Sequence, residues 1–183
     1  LAHVMERAAY TCIVSEGGQY GIFNGDVRKI KEDLALLRPT VFISVPRLYN
    51  KFYDKIQKGL SELTGCKACL ASKAVNTKKK NLESSGAYTH SLYDSLVFKK
   101  MRTVLGGRVQ LMVTGSAPIS SEVRRFMKIA FSSPFTEGYG QTEGCGAEFN
   151  SAPEDKTLGI VGGPLIQNEF KVIDVPEMNY FST

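Results

Sequence analysis

Long apolar runs are the first thing this chain lacks. None approaches the roughly 20 residues that a bilayer-spanning helix needs, which excludes such a helix within its 183 residues. Asn-x-Ser/Thr sequons are also missing, and the four cysteines stand at positions 12, 66, 69 and 145. That combination suits a reducing, intracellular compartment better than secretion. Histidine occurs only twice, as His3 and His90. The "CKAC" stretch has the spacing of a metal knuckle, but no second pair or matching histidine completes four ligands. Cys66 and Cys69 are therefore read as two helix residues one turn apart. The formal net charge is +5, yet Lys78, Lys79 and Lys80 form the only dense basic run. A solvated helix face or loop accounts for such a run better than a nucleic-acid footprint does, so no nucleic-acid partner is expected.

What is present is a hydrophobic content of 43%, enough for a core and for one globular unit. The residues from Leu1 to Cys12 tolerate a helix, with Val4, Ala8 and Tyr10 on its apolar side, and "SEGGQYG" supplies the return loop. "GDVRKIKEDLALLRPT" reads as a helix capped by Asp26, striped by Val27, Ile30, Leu34 and Leu37, and closed by Pro39. "TVFISV" is apolar on both faces, the habit of a parallel strand buried on two sides. A helix follows from Arg47 to about Leu60, and then a polar, lysine-rich stretch from Ser61 to Thr89, helical but exposed. "LYDSLVFKKMRTVLGG" reads as one amphipathic helix ending at Gly106 and Gly107, "RVQLMVTG" as a strand, and "SSEVRRFMKIAFSS" as a helix with Val123, Phe126, Met127 and Ala130 inward. "PFTEGYG" and "EFKVIDV" are shorter strand candidates. Strands and helices alternating in this order argue an α/β fold with a largely parallel sheet flanked by helices.

In open α/β sheets, ligands gather beyond the carboxyl ends of the strands, and two such ends here are rich in glycine. In "VTGSAPIS", Gly115 permits close approach to the backbone and Ser116 offers a hydroxyl, while Pro118 fixes the turn. The same composition also serves a plain strand-to-helix connection. The second is "TEGYGQTEGCG". It contains neither G-x-G-x-x-G nor the Walker spacing. Tyr139 can stack on a flat base, Thr142 can donate to a phosphate oxygen, and Glu143 is a hard oxygen ligand for Mg²⁺. Equally, Tyr139 can be a core aromatic and Glu143 a solvated loop acid.

"EGYGQTE" resembles the [YF]-G-x-T-E signature of the adenylate-forming enzymes, the superfamily of acyl-CoA synthetases, luciferases and nonribosomal adenylation domains. "TGSAPIS", about twenty residues earlier, resembles its companion adenine-side segment. Within that superfamily "GDVRKIKEDLALLRPTVFISVPRLYNKFYDKI", "LGGRVQLMVTGSAPIS", "LAHVMER" and "VIDVPEMNY" are similar to the eukaryotic long-chain fatty acyl-CoA synthetases. The long Ser61 to Thr89 segment is similar to an insertion typical of those enzymes. The resemblance covers essentially the whole chain.

It implies a two-step reaction in which a long-chain fatty carboxylate attacks the α-phosphate of ATP, giving acyl-adenylate and pyrophosphate, and the thiol of CoA then displaces AMP. By resemblance Tyr139 packs on adenine, Gly138 and Gly140 allow close approach, Thr142 contacts phosphate and Glu143 binds Mg²⁺. Gly115, Ser116, Ala117 and Pro118 line the adenine pocket and the head of the acyl channel, and Glu137 and Gln141 are counted by the same resemblance among the nucleotide-binding residues. Gly115 and Gly140 also border the acyl substrate, and His3 and Val4 match positions near the carboxylate and tunnel entrance. Some relatives place a gating tryptophan three residues beyond that valine. Here Arg7 stands there and tryptophan is missing altogether, so the gate does not transfer.

The resemblance also implies that the chain is an internal part of a large AMP-binding N-terminal domain. The lysine-bearing phosphate loop is expected upstream, and the ribose-binding aspartate, hinge, catalytic lysine and lid domain downstream, so that these residues alone are inactive. Family members are membrane-associated at the endoplasmic reticulum, mitochondrial outer membrane or peroxisome, through a segment outside this stretch. Two other readings stay open: an adenylate-forming ligase for another carboxylic acid, and a non-catalytic module binding membranes or partners.

Overall fold

The computed structural model describes residues 3–155 and 157–182. Leu1 and Ala2, which the sequence places in the first helix, lie outside them. Helix α1 runs Val4–Ser15, capped by His3, whose Nδ1 accepts from the Met5 amide. Its buried residue is Ala9, while Tyr10 is exposed, so the inward face is rotated from the expected one. Asp26 does cap the next element, but that element begins as a 3₁₀ turn, Val27–Lys29, before α2, Ile30–Leu37. Leu34 is buried there, whereas Val27 and Leu37 of the expected stripe are exposed, because the tighter turn takes Val27 out of helical register.

Strand β1 (Val41–Ser44) is followed by α3 (Pro46–Ser61), with its proline in the first turn, where the missing amide costs nothing. Strand β2 is Leu111–Thr114, α7 is Ser121–Phe131 and β3 is Phe135–Tyr139. Between them lie α4 (Gly65–Ser85), α5 (Ser91–Tyr93) and α6 (Lys99–Arg102). The amphipathic segment read as one helix is broken: a π-helical turn at Asp94–Phe98 separates α5 from α6, and a 3₁₀ turn at Thr103–Leu105 ends it.

The sheet has five strands in the order β1-β2-β3-β4-β5. The first three run parallel, in the registers Val41↔Leu111 and Met112↔Phe135. Two antiparallel strands of two residues each, β4 (Phe149–Asn150) and β5 (Gly163–Pro164), extend it. The sheet is thus mixed rather than all parallel, and helices flank it. Phe42, Met112 and Phe135 share the deeply buried face. Tyr49 of α3 stacks there, its ring 4.5 Å from Phe135, and its hydroxyl donates to the Phe42 carbonyl at 2.8 Å with the Val113 carbonyl at 3.1 Å. Full burial of each such side chain contributes roughly 1.5–3 kcal/mol. The opposite face is less covered. Strand β1 stands at the end of the strand order among the described residues, and with Val41 38% exposed it is not buried on both sides.

Two further expectations fail. "EFKVIDV" forms no strand; Val175 makes a single bridge to Tyr180, beside a 3₁₀ turn at Pro176–Met178. The lysine-rich stretch is a helix, as expected, but not an exposed one. Ala71, Ala74 and Lys78 of α4 are buried, and Lys78 is 0% exposed. Its ammonium bonds Asp94 at 2.6 Å, Ser132 Oγ at 2.9 Å and the Ile129 carbonyl, and lies 4.2 Å from the Phe98 ring centroid. One lysine of the run read as solvated therefore fastens α4 to the π-helical turn and to the end of α7.

Candidate nucleotide site

Strands β2 and β3 are neighbours whose ends meet at Thr114↔Glu137. The two glycine loops therefore leave the sheet side by side, at its carboxyl edge. After β2 the chain turns sharply: Ser116 has φ +69°, a left-handed conformation that a side chain adopts at a cost. Ser120 then caps α7 by accepting from the Val123 amide at 3.2 Å, the usual service of a serine at this position. After β3, the loop folds back on itself. The Gln141 carbonyl accepts from the amides of Gly144 and Gly146, and the Glu148 amide returns to the Tyr139 carbonyl at 2.9 Å.

The start of α1 closes the third side. A Cβ placed on Gly115 would sit 3.1 Å from the Gly138 carbonyl and 3.7 Å from Met5 Sδ, and one on Gly146 would sit 3.6 Å from Val4. The Ser116 hydroxyl points at Met5 Sδ, 3.8 Å away. Hence His3 and Val4, the Gly115–Pro118 turn and the Gly138–Thr142 loop, far apart in sequence, converge on one edge. Gly146, which the sequence left as a plain loop residue, is the contact point for α1.

Tyr139 is 48% exposed, its ring 6.1 Å from Phe149 in an edge-on arrangement, so it is not a core aromatic. Gln141, Thr142 and Glu143 are exposed. Among the described residues the side chains of Thr142 and Glu143 make no hydrogen bond, which leaves both able to bind something else. No group of three or more His, Cys, Asp or Glu side chains among the described residues is arranged to hold a metal, so Glu143 belongs to no such cluster. One carboxylate fits Mg²⁺, which is commonly held by one or two carboxylates together with substrate phosphates. His3 spends its Nδ1 on the helix cap. Cys66 and Cys69 are exposed in the first turns of α4.

Glu137 behaves differently from its neighbours. It is buried, facing α7; Oε1 accepts from the Ile119 amide at 3.4 Å and Oε2 lies 3.9 Å from Arg124 Nη1. Arg124 and Lys128, one turn apart on α7, are both buried, and burial pulls the pKa of each down; Glu137 and Asp155 oppose this at Arg124. Sequence reading placed Val123, Phe126, Met127 and Ala130 inward and missed these two cations. The signal was their i, i+4 spacing beside the run Ile129, Ala130, Phe131.

Residues 1–183 match the model of the family described as AMP-binding enzyme. Long-chain-fatty-acid–CoA ligase 1 of Homo sapiens is 42% identical over 182 residues, a match covering 100% of this chain and 26% of that protein. The peroxisomal long chain acyl-CoA synthetase 6 of Arabidopsis thaliana is 44% identical with the same coverage of both. The chain thus spans about a quarter of the length of these relatives. Among solved structures, the A domain of a carboxylic acid reductase from Segniliparus rugosus, in complex with AMP and a co-purified carboxylic acid, matches with a TM-score of 0.61. That match is 31% identical and covers 100% of this chain and 24% of the other. With the family model spanning it from end to end, this chain belongs to the AMP-binding enzyme family.

Proposed function

We propose that the chain is the internal part of the AMP-binding domain of a long-chain-fatty-acid–CoA ligase, contributing the adenine and phosphate side of its active site. The whole protein joins a long-chain fatty carboxylate to the α-phosphate of ATP, releasing pyrophosphate, and then transfers the acyl group to the thiol of CoA, releasing AMP. The observation that carries this reading is the meeting of three separated segments at one sheet edge, with Tyr139 half-exposed there and Thr142 and Glu143 exposed, their side chains making no hydrogen bond among the described residues. The identity to long-chain ligases supports the choice of acid.

In this reading Tyr139 stacks on the base, and Gly115, Ser116, Ala117 and Pro118 line the adenine side. Thr142 donates to a phosphate oxygen and orients it. Glu143 holds Mg²⁺, which when bound offsets charge on the phosphates as pyrophosphate leaves. His3 and Val4 border the acyl head. No side chain acts as a nucleophile, so binding and orientation are the whole of what these residues supply. The full-length protein is expected inside the cell and at a membrane, through a segment outside these residues; no helix of the described residues is long and apolar enough to cross a membrane.

The test is pyrophosphate exchange into ATP by the full-length protein, dependent on a long-chain fatty acid. Glu143→Gln lowers exchange at least tenfold while leaving the thermal midpoint unchanged. Exchange supported only by short or aromatic acids would move the chain to another ligase of the superfamily. An absence of exchange with any acid would leave only the binding-module reading.

A further inference from the structure

Close behind the two glycine loops, three polar side chains occupy the core. Arg124 is 1% exposed, Ser151 0% and Glu137 6%. Arg124 Nη2 donates to Ser151 Oγ at 2.8 Å, its Nε to the Phe135 carbonyl at 3.3 Å and its Nη1 to the Thr157 carbonyl at 3.4 Å. Ser151 Oγ also accepts from the Glu137 amide at 2.8 Å, and the Ser151 amide returns to the Glu137 carbonyl at 2.9 Å. The Glu137 carboxylate reaches the Ile119 amide and faces Arg124. One turn along α7, Lys128 donates to the carbonyls of Pro153 and Asp155.

The partners come from separate stretches of the chain. Ile119 lies in the turn after β2, Glu137 directly precedes Gly138, Tyr139 and Gly140, and Ser151 to Thr157 follow β4. The sheet ladder already pairs β2 with β3 at Thr114↔Glu137 and β3 with β4 at Gly138↔Asn150; the side chains add a second set of ties, Arg124 joining α7 to β3 and to residues 151–157, and Glu137 reaching the turn after β2. A buried ion pair is weak support for stability, since apolar residues of the same volume often do as well, and its best-attested use is to specify one arrangement over others. A slip of either glycine loop would leave a charge buried without its partner.

We propose that Arg124, Ser151 and Glu137 are positioning residues that fix the spacing of the two glycine loops, and that AMP affinity depends on them without their touching the nucleotide. This rests on the functional reading above, and it takes Glu137 out of the set of direct ligand contacts. In the full-length protein, Ser151→Ala removes the shared acceptor and Glu137→Gln removes the charge while keeping an acceptor for Ile119. Both variants weaken AMP binding, measured by calorimetry well below the unfolding midpoint, by roughly tenfold or more, the sensitivity expected for misplacement of order 1 Å. Amide exchange of residues 115–120 and 138–146 in the nucleotide-free protein rises in both. Wild-type AMP affinity in both variants, with only a lowered midpoint, would reduce the network to a structural one and overturn the proposal. Weakening by Glu137→Gln alone would also overturn it, by making Glu137 a direct contact. A wild-type protein that binds no AMP would instead sink the functional reading, and unchanged loop exchange would then remove the positioning role as well.

Discussion

Lys78→Met tests the largest departure of the structure from sequence expectation. The substitution keeps most of the aliphatic stem but removes an ammonium that is fully buried and bonded to Asp94, Ser132 and the Ile129 carbonyl. Removing one member of a buried ion pair costs about 3–5 kcal/mol, because its partner is left without compensation. Two features place this case near the lower end. The Asp94 side chain keeps 16% exposure, and its Oδ2 still accepts from the His90 amide at 2.9 Å. The expected cost is about 3 kcal/mol, felt where α4 meets the π-helical turn and α7.

The assay is native-state hydrogen exchange of the α4 amides in the full-length protein, which reads local opening without requiring two-state unfolding of a large chain. Three kcal/mol corresponds to roughly 150-fold faster exchange. Lys80→Met, on the exposed side of the same helix, is the control and stays within about 0.5 kcal/mol of wild type. Combining Lys78→Met with Asp94→Leu restores most of the protection, since no charge is then stranded. Exchange in Lys78→Met within threefold of wild type, or an equal effect of Lys80→Met, would refute the anchoring argument.

Three further outcomes follow from the same geometry. Thr114 Oγ1 is buried with no hydrogen-bond partner, so Thr114→Val is neutral or raises stability by up to about 1 kcal/mol in thermal unfolding, and a loss of that size would reveal a partner. A Cβ on Gly140 would lie 1.5 Å from the Gly146 carbonyl oxygen; Gly140→Ala therefore costs about 1–3 kcal/mol or displaces the loop, read as faster proteolysis within residues 141–146. Bonds from Lys78 and the His90 amide hold the Asp94 carboxyl below the usual carboxylate value, against a desolvation that raises it. Its contribution is present above the unfolded value of about 3.9 and lost as pH falls through the lower folded value, so α4 protection drops below about pH 4, and Asp94→Asn removes that slope.

The parts of the fold that were legible are those whose residues carry their own pattern. "TVFISV" and "RVQLMVTG" are short apolar runs, and both became parallel strands. Helices α3 and α7 carry stripes broad enough to mark the inward face. What stayed hidden depends on partners. "EFKVIDV" has strand composition, yet strand preference is mostly a fit to neighbouring strands, and only Val175 finds one. Strands β4 and β5 have two residues each, too few for any alternation to show. Helix α4 buries alanines and a lysine stem in place of large apolar residues, so its inward face leaves almost no trace in hydropathy. At the candidate site the loops and their exposed residues were legible. Arg124 and Ser151 were not, because a charge on an apolar stripe declares its purpose only when its acceptors are known.

The glycines of "EGYGQTE" separate two demands that composition alone merges. Gly140 is required by the chain itself, since the Gly146 backbone fills the space its side chain would need; it would be glycine whether or not a nucleotide ever bound. Gly138 is under no such demand. A Cβ there would meet Asn150 Oδ1 and the Phe149 carbonyl at 3.4 Å, ordinary contact distances. Internal packing thus leaves room for an alanine, and in a strand alanine is favoured over glycine by roughly 0.5–1 kcal/mol. If the backbone at Gly138 is kept bare for a nucleotide or acyl head, Gly138→Ala leaves thermal stability equal or slightly raised and weakens AMP binding at least tenfold. Calorimetry beside thermal unfolding separates the two quantities. Wild-type AMP affinity in Gly138→Ala would end the close-approach argument at this position and leave the ligand case resting on the half-exposed ring of Tyr139 and on Thr142 and Glu143, whose side chains make no hydrogen bond among the described residues.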